Sequence, residues 1–192
     1  TGRAAKVLSS YTNRQAYTIH KKIYRQESSG DGFGRFMLDK NLHKDTLFVV
    51  DEASMIANDH AGKSLFGSGN LLDDLIGYVY NERNCRLLLI GDTAQLPPVG
   101  MELSPSLSAE YLRNYPQLRK VYEATLTDVL RQSLESGILS NATMLRRLLP
   151  DFDGGEFPQF ITSQYGDIQA ITGNELIDHL TEAYNDNEEG TL

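Results

Sequence analysis

"FVVDEASMI", Phe48 to Ile56, is the stretch whose reading decides the fold. An apolar, β-branched run feeds directly into two adjacent carboxylates, Asp51 and Glu52, and then into small residues. "CRLLLIGD", Cys85 to Asp92, repeats the arrangement: a short continuous apolar run that ends in an acid. Such runs are expected of strands buried on both faces of a parallel sheet. Between them, "NLLDDLIGYVYNE" sets Leu71, Leu72, Leu75, Ile76 and Val79 at helical spacing. Strand, helix and strand in that order make a βαβ unit, so the sequence predicts an α/β fold around a parallel sheet.

Working outward, "TGRAAKVLSS" reads as a short helix with Thr1 placed to cap it and Tyr11-Thr-Asn ending it. "QAYTIHKKIY" predicts a second short helix capped by Thr18. "RQESSGDGFGRFMLDKN", Arg25 to Asn41, has a Ser, Gly and Asp-rich centre whose flanks can pair across a turn. It predicts an exposed β-hairpin with Phe33 and Phe36 near its tip, although a disordered loop has the same composition. "KVYEAT", residues 120–125, is expected to be a third strand, and "GILSNATMLRRLL" a helix. "DIQAI", residues 167–171, suggests an edge strand, and "GNELIDHLTEAYND" an amphipathic helix with Leu176, Ile177, Leu180 and Ala183 on one face.

The 192 residues, 40% of them hydrophobic, suffice for one sizeable core or one core with a small appendage. The single cysteine, Cys85, has no partner for an internal disulfide. No apolar run approaches the length of a membrane span, and a cytoplasmic setting is the default expectation. Net charge is −8, which argues against wholesale electrostatic binding of nucleic acid, but the average hides a gradient. Residues 1–25 carry Arg3, Lys6, Arg14, Lys21, Lys22 and Arg25 and no acid, whereas residues 151–192 carry ten acids and no Lys or Arg. The amino-terminal end can face phosphates, or its charge can simply balance the acidic tail. The histidines, His20, His43, His60 and His179, are scattered and Cys85 has no companion at metal-ligand spacing, so no zinc site is expected.

Open α/β sheets place ligands beyond the carboxyl ends of their strands, which is where Asp51 and Glu52 fall. Adjacent side chains at a strand end diverge. One carboxylate can then hold a Mg²⁺ water shell while the other reaches an attacking water as general base. Taken alone, the pair also fits a solvated turn. "LLLIGDTAQLPPVG", Leu87 to Gly100, adds Gly91, Asp92 and Gln95, followed by Pro97 and Pro98. Gly91 allows close backbone approach, the Gln95 amide can sense a phosphate without adding repulsion, and the diproline stiffens the loop.

Together, "FVVDEASM" and "LLLIGDTAQLPPVG" resemble motifs II and III of superfamily 1 DNA helicases, especially the RecD-like branch. "TGRAAK" is similar to the family's motif Ia, "YTIHKKIY" to the segment after it, and "LTDVLRQ" to motif IV. The likeness runs in order from Thr1 to about Leu149. It implies a truncated three-layer, parallel-sheet P-loop NTPase domain of the RecA-like kind, with a small β-hairpin insertion at about residues 25–41. Residues 1–149 would form part of the first motor domain, and residues 150–192 its acidic carboxyl-terminal part, leading toward a second RecA-like domain.

The resemblance implies ATP and Mg as cofactors. Asp51 would ligate the metal, Glu52 would activate the hydrolytic water, Gln95 would couple the γ-phosphate to the DNA path, and Arg131 would reach the γ-phosphate with its planar fork. Gly91 and Asp92 would line the nucleotide site. Thr1, Gly2 and Arg3 match the DNA-contacting start of motif Ia, and Pro97 and Pro98 follow motif III. His20 would lie near the strand or else pack within its helix. Phe33 or Phe36 could stack on the first base pair as part of a strand-parting pin, or fold back onto the domain.

The Gly-rich loop G-x-x-x-x-G-K-[ST] that grips phosphates in such proteins does not occur at that spacing anywhere in the 192 residues. The family places it upstream of motif Ia, so the expectation is that it precedes Thr1 and that this chain alone binds ATP weakly or not at all. Implied partners are single-stranded DNA and duplex junctions, with subunits of a nuclease complex a possibility and no membrane. An open sheet edge suggests self-association. The parent activity implied is ATP-driven 5′-to-3′ translocation and unwinding in repair or recombination. The rival expectations are a non-catalytic binding module and an ATPase serving another task.

Overall fold

A computed structural model describes residues 2–27, 34–58, 65–127, 136–149, 153–155 and 157–186. The chain divides into two compact units, Thr1–Ala124 and Thr125–Leu192.

The first unit opens with α1, Gly2–Thr12, none of whose residues is buried. Asn13, at φ 51°, turns the chain out of it. Helix α2, Ile19–Ile23, is capped as expected: the Thr18 hydroxyl accepts the Lys21 N–H at 3.2 Å. Strands β1, Tyr24–Gln26, and β2, Phe36–Leu38, pair antiparallel with Tyr24 opposite Leu38 and Gln26 opposite Phe36. The hairpin is therefore present. Phe36 is opposite Gln26 at the end of the ladder toward the tip, as expected, and Phe33 falls outside the described residues.

The βαβ unit is formed by β3, Leu47–Val50, α3, Leu71–Tyr80, and β4, Arg86–Leu89. β3 and β4 run parallel, Leu47 opposite Arg86 and Val50 opposite Leu89. Asn70 caps α3 by accepting the Asp73 N–H at 3.1 Å. Leu72, Leu75, Ile76 and Val79 of α3 are buried, with Phe48, Val50, Leu87 and Leu89 packed against the same core. This confirms the α/β class: a small parallel sheet, an antiparallel pair and flanking helices.

The two strands are not buried on both faces, however. Leu47, Val49, Leu88 and Ile90 are all exposed. A single crossover helix covers a single face, and β3 and β4 consequently alternate exposed and half-buried positions. The expected third strand at residues 120–125 is also absent: the segment forms no ladder. Its Val and Tyr suit a strand, but a strand needs a hydrogen-bonding neighbour, and the sheet among the described residues stops at β3 and β4.

In the second unit, α5 spans Gly137–Leu148 and α6 Leu176–Asp186; α4, Ala109–Leu112, is a single turn in the first unit. The expected edge strand at residues 167–171 is instead irregular. Its Asp167 is drawn to the start of α5, where it accepts the Ser136 hydroxyl at 2.7 Å and the Gly137 N–H at 2.8 Å. Those bonds satisfy donors left orphaned at a helix start, which a carboxylate does well. The Asp167 pKa falls below its ordinary value for the same reason, the Ser136 hydroxyl contributing most and the Gly137 N–H next. Asn141 of α5 exchanges two 2.9 Å bonds with the Ile161 backbone and so ties the following loop to the helix. No helix among the described residues is long and apolar enough to cross a membrane.

Candidate functional site

The carboxyl ends of β3 and β4 lie side by side, and the ladder continues past both strands. Ile90 N–H donates to the Val50 carbonyl at 2.8 Å, and Ala53 N–H to the Ile90 carbonyl at 2.8 Å. Asp51 and Glu52 thereby sit beside Ile90 and Gly91, and both carboxylates are exposed. Hydrogen bonding holds the turn, because Asp51 Oδ1 accepts the Glu52 N–H at 3.0 Å.

Glu52 adopts φ 56° and ψ 39°, the left-handed region. For a side chain with a Cβ this conformation costs about 1–2 kcal/mol, and it persists only where the surroundings enforce it. They do so through two buried serines that composition and spacing did not reveal. Ser106 Oγ donates to the Ala53 carbonyl at 2.6 Å and Ser104 Oγ to the Ile56 carbonyl at 2.6 Å. Ser104 Oγ in turn accepts the Ser106 N–H at 3.3 Å. The short 3-10 turns Ala53–Met55 and Pro105–Leu107 are thus bolted together directly behind the acidic pair. The buried Ser54 hydroxyl beside them has no hydrogen-bond partner among the described residues.

Gly91 is required by close packing. A Cβ there would lie 2.8 Å from the Ser54 backbone nitrogen and 3.0 Å from Leu107 Cδ1. The approach is to the turn after Glu52, so Gly91 sets the separation between the two strand-end loops. Asp92 Oδ1 accepts the Ala94 N–H at 3.0 Å, and the Asp92 carbonyl accepts the Gln95 N–H at 3.1 Å. This compact turn leaves the Gln95 side chain exposed. Pro97 is exposed, Pro98 is buried, and Gly100 at φ 80° lets the chain turn back.

The structure therefore gathers Asp51, Glu52, Gly91, Asp92 and Gln95 at one end of the parallel sheet. His20 and Phe36 belong to a different cluster: His20 stands edge-on to Phe66 at 4.9 Å, and Phe36 stacks on Phe66 at 4.5 Å. Desolvation in that cluster lowers the His20 pKa. Tyr24, in the same cluster, donates to Asp74 at 2.7 Å, and burial first and Asp74 second push its pKa far up. Gly2 and Arg3 occupy the exposed first turn of α1. Thr1, Phe33 and Arg131 lie outside the described residues.

Among the described residues no three His, Cys, Asp or Glu side chains group to hold a metal by themselves. Magnesium does not require such a group, since it keeps several waters and takes one or two carboxylates plus substrate phosphates. A lone exposed carboxylate at a parallel strand end, with a second acid beside it, fits that donor pattern. What the described residues do not supply is a phosphate-gripping loop.

Compared with known proteins, residues 1–101, just over half of the chain, match the family model described as AAA domain. No solved structure matches.

Proposed function

The chain belongs to the AAA domain family, and on that footing we propose that it forms part of the first motor domain of an ATP-dependent DNA helicase of the RecD-like superfamily 1 branch. The observation that carries this reading is the meeting of two loops at one sheet end, where Asp51 and Glu52 lie against Gly91 and Asp92, with Gln95 exposed close by. Residues 1–149 form part of the motor domain in this reading, and residues 150–192 are its acidic carboxyl-terminal part, leading toward a second RecA-like domain.

Asp51 is the residue that would hold magnesium through its water shell; the bound ion would neutralise charge on the phosphate oxygens. Glu52, whose backbone is held in the left-handed region, accepts a proton from the attacking water. Gln95 hydrogen-bonds at the phosphate end through a neutral amide, and the likeness in motif IV makes Arg131 the residue that would supply a planar cation to the phosphate. Single-stranded DNA is the proposed track, contacted by the α1 start at Gly2 and Arg3 and by the Pro97-Pro98 loop. Phe33, in the segment that joins β1 to β2, would part the duplex, while Phe36, the last ladder position before that segment, stacks on Phe66. Travel from 5′ to 3′ and a role in repair or recombination follow from the likeness in motifs II and III.

The test is steady-state ATPase on the complete gene product, with and without oligothymidylate. Stimulation by the oligonucleotide that Glu52→Gln lowers at least 100-fold supports the motor, because general-base assistance contributes about 10²–10⁴-fold. DNA binding with no turnover in the wild type would instead make the domain a binding module.

A further inference from the structure

The chain that leaves the acidic turn meets the hairpin before it enters α3. Phe36 N–H donates to the Leu65 carbonyl at 2.9 Å, and Gly67 N–H donates to the Phe36 carbonyl at 2.7 Å. Phe66 thereby forms a parallel bridge with Phe36. Strand β2 is hydrogen-bonded along both edges, to β1 on one side and to residues 65–67 on the other. The second attachment falls at Phe36, the last ladder position before the segment that contains Phe33.

The Phe66 ring joins the same elements through its side chain. It stacks on Phe36 of β2 with centroids 4.5 Å apart, lies 5.4 Å from Tyr24 of β1 and meets His20 of α2 edge-on at 4.9 Å. Asp74, buried in the first turn of α3, accepts the Tyr24 hydroxyl at 2.7 Å and the Ser68 N–H at 3.0 Å, which ties β1 and the residue after Gly67 to one helix. At the root of the hairpin, Asp39 N–H donates to the Ile23 carbonyl at 2.7 Å. Two strands of three residues each are marginal in water by themselves. The hairpin therefore draws its rigidity from these attachments, and Phe66 is the residue common to most of them.

We propose that residues 65–67 are a brace that stiffens the hairpin, with Phe66 a positioning residue that sets the direction in which the hairpin projects. The inference rests on the motor reading, in which Phe33 parts the duplex. A wedge separates strands only if it resists the load on it. A hairpin free to bend would be pushed aside by the duplex while the motor advanced on the single strand. Phe66 is not among the residues assigned to the phosphates or to the DNA track, so its loss should impair strand separation and spare hydrolysis.

The experiment compares the wild type with Phe66→Ala and with Phe66→Tyr, which keeps the ring. Amide exchange is read at Glu27, whose N–H donates to the Arg35 carbonyl at 2.9 Å across the hairpin, and at Phe36, with Ala53 and Ile90 of the parallel sheet as a check on folding. Phe66→Ala should speed exchange at Glu27 and Phe36 about 10-fold, the size of a lost aromatic stack, and leave Ala53 and Ile90 unchanged. In the complete gene product it should slow unwinding of a forked duplex severalfold at equal oligothymidylate-stimulated ATPase, and Phe66→Tyr should keep unwinding at the wild-type rate. If alanine also loosens Ala53 and Ile90, the same split is read on Phe66→Leu, which retains apolar bulk. Unchanged exchange at Glu27, unwinding at the wild-type rate in the alanine variant, or ATPase falling in step with unwinding each overturns the brace and leaves the motor reading intact. Absence of stimulated ATPase in the wild type is the failure of the motor reading, and it overturns the role of the brace in unwinding with it.

Discussion

Replacing Glu52 by glycine and, separately, by alanine tests whether the strand-end turn holds its acid in a strained backbone. At most positions alanine is the more stable of the two, because glycine loses about 0.5–1 kcal/mol more conformational entropy on folding. Glu52 lies at φ 56°, where a Cβ costs about 1–2 kcal/mol and glycine pays nothing. Both variants delete the carboxylate, so its charge and contacts cancel in the comparison. The difference left is the strain minus the entropy, which favours Glu52→Gly over Glu52→Ala by about 0.5–1 kcal/mol. Urea unfolding followed by circular dichroism reads this as a higher midpoint at equal slope. If the alanine variant is as stable as the glycine variant or more so, the left-handed turn is wrong, and with it the account of how the strand-end turn is braced. The glycine variant should also lack ATPase in the complete gene product, gaining stability where it loses function.

Three further outcomes are expected. Gly67→Ala should destabilise by about 3 kcal/mol by urea titration, since Gly67 is at φ 48° and its Cβ would collide with Asp74 Oδ2 and come within 2.6 Å of Tyr24 Cε1. Ser104→Ala removes the donor to the Ile56 carbonyl and the acceptor of the Ser106 N–H. It should cost about 1–3 kcal/mol, and a midpoint equal to wild type would show that the serine pair does not brace the turn. The depressed Asp167 pKa makes its bonds to α5 a contribution that is complete above the ordinary aspartate range and lost as pH falls through the folded value. The protection of the Gly137 and Ile138 amides, taken relative to their intrinsic exchange rates, should therefore fall as pH drops through the lowered Asp167 value, and Asp167→Asn should remove that dependence.

Elements that rest on local pattern were readable in the sequence. The Thr18 cap, the 3.6-residue spacing of Leu72, Leu75, Ile76 and Val79, and the apolar runs of β3 and β4 each encode their structure within a few neighbours. The failures have a common cause, which is that the deciding partner lies far away in the chain. Residues 120–125 have the side chains of a strand, but strand formation depends on a ladder that the segment itself does not specify. Asp167 reads as the start of "DIQAI", yet its carboxylate is claimed by Ser136 and Gly137 about thirty positions earlier. Ser104 and Ser106, flanking Pro105, look like turn punctuation, and only the fold shows their hydroxyls on the Ala53 and Ile56 carbonyls. The acids at the strand ends were visible as residue types, but the left-handed backbone of Glu52 was not, since it is imposed by the turn behind it.

That turn also supports the proposal that the acidic pair serves a ligand rather than being left over at a strand exit. A solvated exit needs no bracing, because water satisfies its backbone groups and any side chain suits it. Here the two carbonyls following the acids are met by buried hydroxyls, the neighbouring loop is held close at a position where a Cβ would collide, and a strained glutamate persists where glycine would relax it. Each feature costs stability or sequence freedom, and each fixes where the two carboxylates stand.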